Sequence, residues 1–84
     1  MVGQRVIPNL DKYMYGMNPG DYGKDSDGLW MVVTPNGLSG CIQKHTITEH
    51  EDGTITVSPS ILVNNGEGGK SYHGYLEKGI WREV

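Results

Sequence analysis

From Leu29 onward, apolar residues fall in short runs or on every second position, and they do not keep the three-to-four spacing of a helix. Leu29–Thr34, "LWMVVT", is an unbroken run of strand formers, which predicts a strand covered on both faces. It stops at Pro35-Asn36-Gly37, residues that favour a turn. "LSGCIQK" reads as a second, weaker strand. Ile47 alternates with Thr46 and Thr48, and Ile55 and Val57 alternate with Thr54 and Thr56, on either side of Asp52-Gly53. That pattern predicts a hairpin pairing Thr46–His50 with Thr54–Ser58. Pro59 has no N–H to give to a ladder and is expected at a strand end or a sheet edge. "NNGEGGK", 64–70, reads as a loop. Tyr75-Leu76 and Ile80-Trp81 then flank Glu77-Lys78-Gly79 and predict a closing hairpin, with Gly79 where a positive φ is needed.

The first 28 residues follow neither period and are interrupted by Pro8, Gly16, Pro19, Gly20, Gly23 and Gly28. They read as an arm, 1–28, ahead of a small β domain, 29–84, with Val6, Ile7 and Leu10 available for a short edge strand or turn. The expected fold is all-β: a small antiparallel barrel or sandwich of five to six short strands with an irregular N-terminal arm.

Composition narrows the classes of function. A chain of 84 residues makes one domain, and at this size folding buries only about 60–65% of the exposed surface of the unfolded chain. Cys41 is the single cysteine, so no internal disulfide forms. A lone thiol without a signal peptide reads as cytoplasmic. Phe is absent, leaving Trp30 and Trp81 as the expected core anchors. The formal charge is −3, and the seven basic residues are scattered singly, which disfavours nucleic acid as a partner. No apolar window approaches the roughly 18 residues of a membrane span.

Candidate chemistry is sparse. Cys41, His45, His50 and His73 are the residue types zinc prefers, but alternation along strands would turn neighbouring ligands to opposite faces, and no Cys-x2-Cys knuckle brings two together. The plain reading keeps Cys41 as a small buried hydrophobe and His45 and His50 as solvent-facing strand residues, with no cofactor. "DYGKDSDG" lacks the outer ligands of a calcium loop, with Gly23 and Thr34 where carboxylates belong, and reads as a solvated turn. Ser58, Ser60, Ser71 and Cys41 lie in no nucleophile motif, and Ser60 reads as a turn hydroxyl, so an enzyme is not expected. Five tyrosines are too many for so small an interior. Tyr13, Met14, Tyr15 and Met17, with His73 and Tyr75, are the candidate protein-contact residues.

"HEDGTITVSPSIL" followed by "YHGYLEKGIW" resembles a family of short, uncharacterised bacterial and bacteriophage proteins. Its mark is an Asp-Gly-Thr hairpin, Ser-Pro-Ser-Ile, and a His before a terminal aromatic hairpin. The residues that carry the likeness are Asp52, Gly53, Thr54, Ser58, Pro59, Ser60, Ile61, His73 and Gly79. Many relatives carry cysteines before the hairpin and just before the His, where this chain has only Cys41 and then Lys70-Ser71-Tyr72. The resemblance implies a small all-β domain, often phage encoded, with no established activity, and occurrence beside ubiquitin-like conjugation genes favours protein contacts. The expected function is a non-enzymatic interaction module that binds a bacterial cytoplasmic protein or assembles with itself. A zinc-supported or ligand-binding domain using His73 and Cys41, with His45 or His50, is the alternative. A minor virion component is a third reading.

Overall fold

A computed structural model describes residues 1–7, 17–25, 27–64 and 69–84. Among them there is no helix, and eight strands form two four-stranded sheets. The first sheet runs in the order β1 (Gln4–Arg5), β2 (Asp21–Lys24), β3 (Trp30–Val33), β4 (Ser39–Cys41). The second runs β5 (Thr46–Glu49), β6 (Ile55–Asn64), β7 (Ser71–Glu77), β8 (Ile80–Glu83). This corrects the expected five to six strands, and the two sheets do not close into a barrel. It also corrects a purely antiparallel sheet, because β1 pairs with β2 in parallel.

The segment 1–28, expected to be irregular, contains β1 and β2, and Tyr22 within it is core. Backbone pairing carries it across the fold. The N–H of Gly3 donates to the carbonyl of Gly79 at 2.7 Å, the N–H of Trp81 donates to the carbonyl of Met1 at 2.8 Å, and Val2 bridges Ile80. Two residues later Gln4 and Arg5 sit opposite Asp21 and Tyr22. Residues 1–5 therefore run from the edge of the second sheet to the edge of the first. Tyr13, Met14 and Tyr15, like Leu10 and most of the 64–70 loop, lie outside the described residues; Met17 is half-buried.

The apolar residues meet between the sheets. Tyr22, Trp30, Val32, Leu38 and Ile42 from the first half pack with Ile55, Val57, Ile61, Tyr72, Leu76 and Trp81 from the second. Fully burying side chains of this size stabilises by about 1.5–3 kcal/mol each. The unbroken run in β3 has the expected consequence, since Met31 and Val33, on its other face, are buried as well. Trp81 meets the edge of Tyr72 at 5.6 Å between ring centroids, and its indole N–H donates to the carbonyl of Gly20 at 2.9 Å. Trp30 is covered by two cations, the Arg5 guanidinium at 5.0 Å and the Lys24 ammonium at 5.6 Å from the ring centroid.

Both expected hairpins form, the first in the expected register; the second closes on the two residues Lys78-Gly79, with Glu77 in β7 and not in the loop as expected. Thr46 faces Ser58, Ile47 faces Val57, Thr48 faces Thr56 and Glu49 faces Ile55. The turn is a three-residue loop in which Gly53 takes φ +87° and its N–H donates to the His50 carbonyl at 3.0 Å. Glu77 faces Ile80 across a tight turn with Lys78 at φ 49° and Gly79 at φ 77°. The acidic "DYGKDSDG" turn is less solvated than expected. Asp25 is buried and its Oδ1 accepts the N–H groups of Asp27 and Leu29, both at 2.9 Å. Pro59 is not at a strand end. It lies inside β6, beyond the last residue paired to β5, at a bulge between Val57 and Ile61 where the ladder to β7 is already interrupted.

Candidate functional site

The outer face of the second sheet is built by simple alternation. In β7, Tyr72, Gly74 and Leu76 turn inward, while Ser71, His73, Tyr75 and Glu77 are exposed. In β6, Ile55, Val57 and Ile61 are buried, and Ser58 and Leu62 are exposed. β8 adds Ile80 and Arg82 on either side of buried Trp81. Leu62 faces His73 across the ladder, Tyr75 faces Arg82 and Glu77 faces Ile80. Leu62 is 65% exposed, Tyr75 41% and Ile80 46%, so one sheet face presents three large apolar side chains to solvent. Its charges are largely internal to it: Arg82 pairs with Glu77 and lies 5.8 Å from the centroid of the Tyr75 ring.

The bulge gives this face relief. Three residues, Ser58, Pro59 and Ser60, occupy the stretch of β6 that faces the single residue Tyr75 on β7. Thr56 to Pro59, Tyr75 and Glu77 line a depression of about 250 Å³ there, and a second of about 550 Å³ lies beside it between Thr56, Glu77, Lys78, Ile80 and Arg82. The bulge also re-aims Ser60. Its Oγ is hydrogen-bonded to His73 Nε2 at 2.9 Å, and its carbonyl oxygen lies 3.1 Å from His45 Nε2. Ser60 is thus more than the expected turn hydroxyl, since it joins two histidines 28 positions apart in the chain.

A carbonyl can only accept, so His45 Nε2 carries the proton, and Nδ1 in the neutral ring is an acceptor. That Nδ1 is buried and has no hydrogen-bond partner. His50 Nε2 is bonded to Thr56 Oγ1 at 2.6 Å, and the same hydroxyl oxygen accepts the Lys78 N–H at 3.0 Å. Both histidines are half-buried and hydrogen-bonded, a correction to their expected solvent-facing role, and Cys41 is exposed on β4, a correction to its expected burial. Cys41, His45, His50 and His73 do not come together: among the described residues no three His, Cys, Asp or Glu side chains group as a metal would need. The donor set therefore does not fit the zinc alternative. Ser60 and His73 supply two parts of a nucleophilic constellation, but among the described residues no carboxylate lies within ion-pair distance of His73 to orient it.

A further concavity, of about 470 Å³, lies between Gly3–Ile7, Tyr22 and the 52–54 turn. Arg5 spans it, donating to the Gly53 carbonyl at 3.2 Å and to Glu49 Oε1 at 2.8 Å. Burial pushes the Tyr22 phenol above its ordinary pKa, while hydrogen bonds from Thr54 hold the Asp52 carboxyl below its own. The partners in this cleft stand some fifty positions apart with no shared motif, so sequence reasoning does not find it. Of the expected contact residues, His73 and Tyr75 do share one exposed face. Leu62 and Ile80 join them there, and the alternation either side of Ile61 and Trp81 is the signal that would have singled them out.

The chain matches no protein-family model, no curated protein and no solved structure. No helix among the described residues is long and apolar enough to cross a membrane.

Proposed function

We propose that this protein is a small non-enzymatic interaction module whose contact surface is the outer face of the second sheet. The observation that carries this reading is the exposure of Leu62, Tyr75 and Ile80 together on one face, around two shallow depressions. An aromatic and two aliphatic side chains, rimmed by Thr56, Ser58, His73 and a paired Glu77–Arg82, have the composition of an interface: apolar centre, polar rim, few uncompensated charges. The likeness of "HEDGTITVSPSIL" and "YHGYLEKGIW" to short bacterial and phage proteins supports a bacterial cytoplasmic protein as the partner of a phage or prophage product.

The test is differential capture from bacterial lysate. A partner retained by the native protein should be lost by Tyr75→Ser combined with Ile80→Ser, and kept by Ser39→Ala, an exposed position on β4 in the other sheet. Equal retention by all three would remove the outer face from consideration. Labelling with a fluorophosphonate probe separates the hydrolytic reading, because covalent modification of Ser60 that depends on His73 would replace this proposal with an enzymatic one.

A further inference from the structure

The strand β5 is the outermost of its sheet and pairs with β6 alone. The direction of its remaining backbone groups follows from the hairpin. The N–H of His50 donates to the Thr54 carbonyl at 2.8 Å, so residue 50 turns its groups toward β6. Antiparallel alternation repeats this at Thr48 and Thr46 and directs the N–H and C=O of Ile47 and Glu49 away from the sheet. Thr46, Thr48 and Glu49 are exposed. The other edges offer less: β8 is paired to the Met1–Gly3 segment, β1 is two residues long and β4 three. Among the described residues, β5 is the longest strand with one side unpaired over its whole length, and such an edge is a template for another strand.

Its charges say which strand. Lys44 precedes β5, and Glu51 and Asp52 follow it. A parallel partner of the same sequence would set like charges together; an antiparallel one sets the basic end of each against the acidic end of the other. The register is also constrained. Directly opposite residues in an antiparallel pair either both bond or both do not, so Ile47 and Glu49 must face outward-directed residues of the incoming strand. Pairing Glu49 with Glu49 would oppose two carboxylates. Pairing Ile47 with Ile47 would set Glu49 against His45, whose N–H already donates to Ile42 at 3.1 Å. Pairing Ile47 with Glu49 uses all outward groups on both chains and brings Lys44 opposite Asp52.

We infer that the partner of this edge is a second copy of the chain, joined about a two-fold axis through Thr48 so that two four-stranded sheets become one of eight strands. The axis stands perpendicular to the sheet, so both outer faces lie on the same side. This stands on the backbone geometry of β5 and is independent of the contact role given to Leu62, Tyr75 and Ile80.

Thr48 would face Thr48 of the second copy in a non-hydrogen-bonded pair, with Cα atoms about 4.5 Å apart, within the roughly 4.4–6.8 Å span of a disulfide. Thr46 would be offset from its counterpart by four residues, roughly 13 Å, beyond that span. Oxidised glutathione should therefore convert Cys41→Ser/Thr48→Cys to a covalent dimer and leave Cys41→Ser/Thr46→Cys as monomer. Sedimentation equilibrium of the unaltered chain, from micromolar to millimolar, should reveal a concentration-dependent dimer. Thr48→Lys, placing two ammonium groups face to face, should weaken it about tenfold or more. Equal cross-linking of the two cysteine variants, or an unaltered chain that stays monomeric at millimolar concentration, would overturn the inference. Loss of the dimer in Tyr75→Ser/Ile80→Ser but not in Thr48→Lys would move the interface to the outer face and overturn it equally.

Discussion

The hydroxyl of Tyr22 lies 2.9 Å from where a β-carbon on Gly79 would sit, and Thr54 Cγ2 lies 3.1 Å from the same point. The closing turn of the second sheet is therefore seated on a core tyrosine of the first, and Gly79 is constrained twice, by its φ of 77° and by this contact. Gly53 has φ 87° but nothing within 4 Å of a notional β-carbon. Gly53→Val should cost only the backbone strain, about 1–2 kcal/mol. Gly79→Val should cost that plus about 1–3 kcal/mol of overpacking. Urea unfolding of the two variants checks this, and equal midpoints would mean that Tyr22 yields without cost.

A related expectation concerns Gly3, whose notional β-carbon falls 2.5 Å from the Gly20 carbonyl oxygen and 2.8 Å from Trp81 Nε1, on the hydrogen bond between them. Gly3→Ala should break that bond and destabilise the fold. Trp81→Phe should strand the Gly20 carbonyl, at a cost of about 1–3 kcal/mol beyond the lost volume. Thermal unfolding measures both, and a melting temperature unchanged in Gly3→Ala would show that residues 1–3 contribute nothing.

Alkaline pH should unfold the protein through its buried phenols. Burial raises the Tyr22 and Tyr72 pKa values above their ordinary 10.0. A group raised in the folded state gives stability that is complete below its unfolded pKa and is lost as pH rises through the folded one. Tyrosinate absorbance should show two of the five tyrosines ionising late, together with loss of structure. Five equal titrations near the ordinary value would contradict this.

Acid acts on the other hairpin. Asp52 accepts from Thr54 Oγ1 at 2.6 Å and from the Thr54 N–H at 3.0 Å, and these bonds hold its carboxyl below its ordinary 3.8. The sign is opposite to the tyrosines: the contribution is present above the unfolded value and lost as pH falls through the lower folded one. An NMR titration of Asp52 should give a depressed midpoint that Thr54→Val moves back upward.

Much of the fold is legible in the chain because local signals agree with it. Alternation around Asp52-Gly53, the unbroken Trp30–Val33 run and the Lys78-Gly79 turn each specify their element without distant help. What is not legible depends on partners far away. Gln4–Arg5 becomes a strand because Asp21–Tyr22 lies beside it and the preceding Met1–Gly3 is tied to Gly79–Trp81, and nothing in "GQRV" declares that. Pro59 is tolerated inside β6 because a bulge has already interrupted the ladder, a register fact invisible in sequence. For the site, His73 and Tyr75 are readable as candidates, but the bond from Ser60 to His73 depends on the same bulge, and the Arg5 cleft on pairings across half the chain.

The bridging of Val2 to Ile80 fixes an order of events as well as a shape. Met1 and Trp81 stand 80 positions apart, so residues 1–3 wait, unpaired on that side, until β8 is in place. The earlier hairpins close locally, but the seam through Gly3, Gly20 and Trp81 joins positions 61 apart and more, and loop-closure entropy makes such a contact late. Until it forms, the folding chain exposes Trp81 and one edge of each sheet, and that interval is the period of greatest risk for aggregation.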